Sequence, residues 1–180
     1  MRKKILIAIV IVVIGLVAVI AMQPDTFLVS RTTSIAAPLA EVFALVNDFH
    51  KWEKWSPWEK LDPAIKTTFE GAPSGTGAIY AWVGNDKVGE GRQTILESKA
   101  GELVRIKLEF VKPFASVADT EFAFSGDGNA TTVTWIMKGE NNFISKGFCL
   151  FMGGMDKVIG PDFEKGLAQL KSLAESAAQK

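Results

Sequence analysis

At 180 residues, 48% hydrophobic and 22% charged, the chain is long enough for one domain with a sizeable core plus an accessory segment. Its 20 basic residues balance 20 acidic ones, which argues against the basic face that nucleic acid demands. The single cysteine, Cys149, excludes an intrachain disulfide, so the fold must be held by its core alone.

The first predicted element follows MRKK. Ile5 to Met22 are eighteen residues without a charged or polar side chain. At roughly 1.5 Å of rise per residue they cover about 27 Å, close to the thickness of a bilayer hydrocarbon core. Arg2, Lys3 and Lys4 precede this run and the next cation is Arg31, so the positive-inside rule puts the N-terminus in the cytoplasm. The remainder is then on the extracytoplasmic, periplasmic side of a bacterial cytoplasmic membrane. A cleaved secretory signal is the alternative, with Val19 and Ala21 as the small residues of a cleavage site. The uncleaved single-pass anchor is the expectation taken, because signal h-regions usually run about 7 to 15 residues. The chain divides accordingly into an anchor over 1–25 and a domain over 26–180. From Ile5 onward 17 basic residues face 20 acidic, a mild negative charge with no pull toward anionic lipid.

Phe27 to Ile35 is rich in β-branched residues with partial alternation and predicts an opening strand. Pro38 to Val46 predicts a helix: Pro38 suits its first turn, and Leu39, Val42, Phe43 and Val46 recur at helical spacing. The stretch KWEKWSPWEK comes next, with Trp52, Trp55 and Trp58 crowded among charges. Ser56, Pro57 and Glu59 have the spacing of a helix start, Ser56 as N-cap and Glu59 reaching back. The indoles can form a rim over an apolar mouth, plug the end of a closed core, or lie in an interfacial belt.

Six strand segments follow between Lys66 and Gly139: KTTFEG, GAIYAWVG, Glu90 to Glu97, VRIKLEFV, Val117 to Phe124, and TTVTWIMK. In the fourth, Val104, Ile106, Leu108 and Phe110 face one way and Arg105, Lys107 and Glu109 the other. The turn Gly126-Asp127-Gly128-Asn129 predicts a hairpin. Phe143 to Ile159 is loaded with Phe and Met around Gly153-Gly154, either an adaptable apolar surface or ordinary core. A helix from Pro161 to about Ala178 closes the chain, with Phe163, Leu167, Leu170 and Ala174 at helical spacing. Gly166 lies on that apolar side, which implies either a close approach or a space beside the helix.

IAAPLAEVFALVNDFHKWEKWSPW, GTGAIYAW, GEGRQTI, TTVTWIMKG and DFEKGLAQLKSLAE, in this order, resemble the START-like superfamily, also called SRPBCC, and within it the polyketide cyclase/dehydrase and lipid-transport branch. The resemblance covers Phe27 to Ala177. It implies an α+β helix-grip fold, in which a curved antiparallel sheet wraps a long C-terminal helix with an elongated apolar cavity between them, preceded here by one transmembrane helix. The cavity so implied would draw its lining from Trp55, Trp58, Tyr80, Trp82, Arg92, Phe110, Phe122, Trp135, Met137, Phe163 and Leu167. The family name is a fold-level label and implies a cavity rather than a reaction.

Catalysis has little support in the residues. His50 is the only histidine, so any Ser-His-Asp or Cys-His arrangement must pass through the tryptophan loop. No metal-ligand spacing appears, and Gly75-Thr76-Gly77 and Gly89-Glu90-Gly91-Arg92 fall short of a dinucleotide fingerprint and precede strands. No cofactor or metal is expected. Cyclase-like members of the superfamily steer substrates with Arg, Tyr and Trp, and Tyr80, Trp82, Arg92, Glu90 and Glu121 are the polar candidates here. Each is better explained as an exposed strand position or a cross-strand ion pair on the wet face of a half-buried sheet. The function expected is membrane-anchored binding of a hydrophobic small molecule or lipid without catalysis, with no nucleic-acid partner. The alternatives are a cyclase- or hydrolase-type enzyme using the same cavity, and an anchored module that binds protein through the Phe/Met segment.

Overall fold

The computed structural model describes residues 2–126 and 128–178. Helix α1 (Arg2–Ala21) opens on three cations and is apolar on every side beyond them, with a mean hydropathy of 3.2 over its most apolar 18 residues, almost none of which is covered by the rest of the chain. A helix without a polar face cannot be a surface helix in water. Only Ile20, on its last turn, is buried.

The domain that follows is one seven-stranded antiparallel sheet in the order β1-β7-β6-β5-β4-β3-β2. Its strands are β1 (Thr26–Ile35), β2 (Lys66–Gly71), β3 (Ala78–Val83), β4 (Glu90–Lys99), β5 (Leu103–Lys112), β6 (Ser116–Gly126) and β7 (Thr131–Glu140). All seven match the expected segments. Consecutive strands from β2 to β7 pair as a meander, and β1 returns to pair with β7 along its full length, Thr26 opposite Glu140 and Ile35 opposite Thr131. The hairpin expected at 126–129 is present, with Gly126 opposite Thr131; its Asp127 lies outside the described residues.

Alternation decides which face is dry. Val104, Ile106 and Leu108 of β5, Phe122 and Phe124 of β6, and Val133, Trp135 and Met137 of β7 are buried on the concave face. The convex face carries ion pairs, among them Arg105 with Glu97 and Glu121, and Lys112 with Glu90. Across the concave face lies α4 (Met155–Ala178), seated by Phe163, Leu167, Leu170 and Ala174. Arg31, at the sheet edge, ties its first turns down through Asp156 and Glu164, both at 2.7 Å.

Two boundaries differ from expectation. α4 starts six residues before Pro161, which sits inside it. Proline lacks the N–H that would bond the carbonyl four residues back, so it costs one bond near the start of the helix instead of ending it. The helix expected after Ser56 does not form: residues 55–65 are turns. Tertiary contacts take the groups that would have capped it. The Glu59 carboxylate accepts from the Tyr80 hydroxyl, and the Pro57 ring lies against α4 at Gly166. The preceding helix α2 (Leu39–Val46) forms with Pro38 as its N-cap, and Phe49–Lys54 makes a short 3-10 helix.

The Phe143–Ile159 segment is not ordinary core. Most of it forms α3 (Phe143–Met152), where Phe143, Ile144, Phe148, Phe151 and Met152 are exposed. Only its C-terminal end, at Met155 and Ile159 of α4, packs on the core.

Candidate functional site

A cavity of about 270 Å³ lies between the concave sheet and α4. Strand alternation supplies most of its wall: Tyr80 and Trp82 from β3, Gln93 from β4, Leu108 and Phe110 from β5, Thr120 from β6, and Trp135 and Met137 from β7. Val158, Ile159 and Asp162 of α4 close the opposite side. The tryptophan loop contributes Trp52, Ser56, Trp58, Glu59 and Ile65, and Val88 comes from the β3–β4 turn.

The three crowded indoles therefore divide their work. Trp52 and Trp55 are buried, and their N–H groups donate to the carbonyls of Val46 (2.9 Å) and Leu45 (3.1 Å), which pins the loop to the end of α2. Trp55 stands edge-on to Phe122 and Trp135 at about 6 Å and does not reach the cavity. Trp58 is half-buried and lines it, edge-on to Trp135 at 5.7 Å and to Phe163 at 6.4 Å.

Of the residues expected in the lining, Trp58, Tyr80, Trp82, Phe110, Trp135 and Met137 meet around the cavity. Trp55, Phe122, Phe163 and Leu167 stand behind it as core: all four are buried, and Phe163 is stacked behind Trp135. Arg92 is on the convex face, exposed, with its guanidinium 4.0 Å from Glu109, because strand alternation gives the inward positions of β4 to Gly91 and Gln93. Glu90 and Glu121 lie on the same wet face in ion pairs. Several lining residues escaped the sequence reading. Gln93 and Thr120 were legible in principle, being in phase with Ile95 and Phe122, whereas Ser56, Glu59 and Asp162 reach the site through loop and helix packing that no local pattern encodes.

The polar groups in the wall are few and of one kind. The Tyr80 hydroxyl donates to Glu59 at 2.6 Å, and burial, reinforced by that carboxylate, pushes the phenol well above its ordinary value. Asp162 adds a second carboxyl. No Lys, Arg or His is among the lining residues described. Trp82 donates its N–H to the Val88 carbonyl at 3.0 Å, but two buried lining atoms, Trp135 Nε1 and Thr120 Oγ1, have no protein partner. A buried donor left unpaired costs about 1–3 kcal/mol.

His50 is away from this cavity. It is half-exposed, stacks on Phe69 at 4.1 Å, and its Nδ1 lies 3.0 Å from Asp48 Oδ1. Cys149 sits on α3, its thiol raised by burial. Among the described residues no three His, Cys, Asp or Glu side chains are placed to hold a metal ion.

Residues 26–175 match the family described as polyketide cyclase/dehydrase and lipid transport. No curated protein sequence matches the chain. Among solved structures, a Chromobacterium violaceum protein superposes with a TM-score of 0.54 at 17% identity, over 84% of this chain and 99% of that one. Norcoclaurine synthase from Thalictrum flavum gives 0.60 at 9% identity, over 84% and 95%. The di-domain ARO/CYC protein StfQ of the steffimycin biosynthetic pathway gives 0.61 at 10% identity; 87% of this chain is covered and 53% of StfQ, so this chain spans about half of it. At these identities the likeness is one of fold.

Proposed function

Because the chain belongs to the polyketide cyclase/dehydrase and lipid transport family, we propose that it is a membrane-anchored binding protein for a neutral, largely apolar small molecule or a single chain of a lipid. In this reading α1 spans the bilayer, Arg2, Lys3 and Lys4 stay in the cytoplasm, and the domain from residue 26 onward works on the periplasmic side without catalysing a reaction. The observation that carries it is the cavity wall: six aromatic side chains, two carboxyl groups, and no basic side chain among the described lining residues. A bound carboxylate or phosphate would be desolvated there with no counter-charge and beside Glu59, which is costly. A ketone, ester or hydroxyl oxygen carries no charge to desolvate and is tolerated in such a wall at far lower cost.

At about 270 Å³ the cavity is near the lower end of the usual range for small-molecule pockets, which suits a compact ring system or the end of an acyl chain. A second reading, a cyclase-type enzyme, draws on the Tyr80–Glu59 hydrogen bond in the wall, which supplies a protonated donor beside a carboxylate.

The full-length protein in detergent tests the proposal by displacement of an environment-sensitive apolar dye. A long-chain alcohol should displace the dye at a concentration roughly tenfold or more below that of the carboxylate of equal length. Equal competition by the two would remove the neutral-ligand reading, and a dye that never binds the folded protein would remove the cavity reading.

A further inference from the structure

The most exposed apolar surface outside α1 is on α3. Phe143, Ile144, Phe148, Phe151 and Met152 are all at least half-exposed, Phe151 at 74%, and at 100° per residue they fall on one side of the helix. That side carries no charge. The one charged residue of α3, Lys146, points the other way and is buried. Its ammonium donates to Asp25 Oδ1 at 2.5 Å and to the Ala21 carbonyl at 3.4 Å. Ile20 closes the same junction against Gly147. Phe114, 60% exposed, is in the β5–β6 turn next to Ala115, which borders a groove with Asp25 and Asn142.

Resting on the reading of α1 as a membrane anchor, we infer that α3 is an interfacial helix, its exposed face sunk into the headgroup–acyl boundary of the same bilayer. The depth follows from length. With Arg2, Lys3 and Lys4 held at the cytoplasmic boundary, Ile5 to Ala21 cross the bilayer as about 26 Å of helix, close to the thickness of the hydrocarbon core. Ile20 and Ala21 are then at its boundary, and α3 is fastened to those two residues. A five-residue apolar face with no charge, fixed at that depth, meets lipid before it meets a protein partner. The consequence reaches the cavity, because Gly153 and Gly154, at φ +83° and +100°, turn α3 directly into α4, whose Val158, Ile159 and Asp162 form the cavity wall.

Full-length protein reconstituted in phosphatidylcholine nanodiscs tests this. In a Cys149→Ser background a bimane label is placed at Phe151→Cys, at Ile144→Cys, at Val12→Cys within α1, and at Glu102→Cys in the β4–β5 turn at the far end of the sheet. Lipids with nitroxide quenchers near the headgroup should quench both α3 labels severalfold more than the Glu102 label, and chain-end quenchers should quench the Val12 label most. If Val12 is quenched and both α3 labels are not, the anchor reading survives and the interfacial helix is refuted. If Val12 is not quenched, the anchor reading falls and takes this inference with it. Blue-shifted but unquenched α3 labels would mean that protein covers the face, which also overturns it.

Discussion

Trp135 of β7 and Phe163 of α4 lie face to face, ring centroids 4.0 Å apart and planes 11° off parallel. This stack is the seam between sheet and helix. Trp135 also borders the cavity, and its buried N–H has no protein partner.

Gly166 is what lets the seam close. A Cβ built there would stand 2.8 Å from Trp135 Cζ3 and 3.1 Å from Pro57 Cδ, so the glycine permits close approach and does not leave a space. Alanine should ordinarily strengthen a helix interior by about 1 kcal/mol. Here Gly166→Ala should instead destabilise by about 1–3 kcal/mol, because the new Cβ would press on both the stacked indole and the proline ring. Thermal melts of the two full-length proteins in the same detergent decide the sign, and a higher melting temperature for alanine would contradict the packing.

The three loop tryptophans should separate on the same measurement. Trp52→Ala and Trp55→Ala each remove a buried indole together with its bond to a backbone carbonyl and should cost about 3–5 kcal/mol. Trp58→Ala should cost less, since the side chain is only half-buried, yet weaken dye binding most because it faces the cavity. Equal destabilisation by all three would deny Trp58 its separate role.

How much of this was legible depends on the range of the forces involved. The strands were readable because a half-buried strand writes its two faces into alternate residues, as in Val104 to Phe110. The dry face of α4 was readable for the same reason at a period of 3.6. Ser56-Pro57-Trp58-Glu59 misled because its capping pattern is local, whereas Pro57 and Glu59 are claimed by α4 and Tyr80 from more than twenty residues away. Arg92 was placed in the lining by a resemblance, and its own strand phase argues otherwise. The face on which a polar strand residue lies is fixed by register with its neighbours, and composition carries no record of it.

Arg92→Ala therefore serves as the control for the cavity. Its side chain is exposed on the convex face and its ion pair there is long, 4.0 Å to Glu109. Stability should change by less than about 0.5 kcal/mol and dye affinity should stay the same. His50→Ala should likewise leave binding intact, since the imidazole lies outside the cavity lining and stacks on Phe69. A loss of binding in either variant would mean that the ligand sits somewhere else.

Tyr80 is the only tyrosine in the chain, so phenolate absorbance in a pH titration reports on the cavity wall alone. Burial first, then the hydrogen bond to Glu59, raises its pKa well above the ordinary 10.0. The sign of the linkage follows. Below that ordinary value both folded and unfolded chains hold the proton, and the stabilising contribution is complete. As the pH rises past it the unfolded phenol ionises and the folded one does not, so the folded state loses stability progressively until its own phenol titrates. Phenolate should thus appear late and together with loss of tryptophan tertiary signal, as one alkaline unfolding event. Glu59→Gln removes the charge that opposes ionisation but not the burial, and should bring the onset to lower pH without restoring the ordinary value. A phenolate band that develops near the ordinary value while the tertiary signal is intact would show that Tyr80 is wet and the cavity wall open at that point.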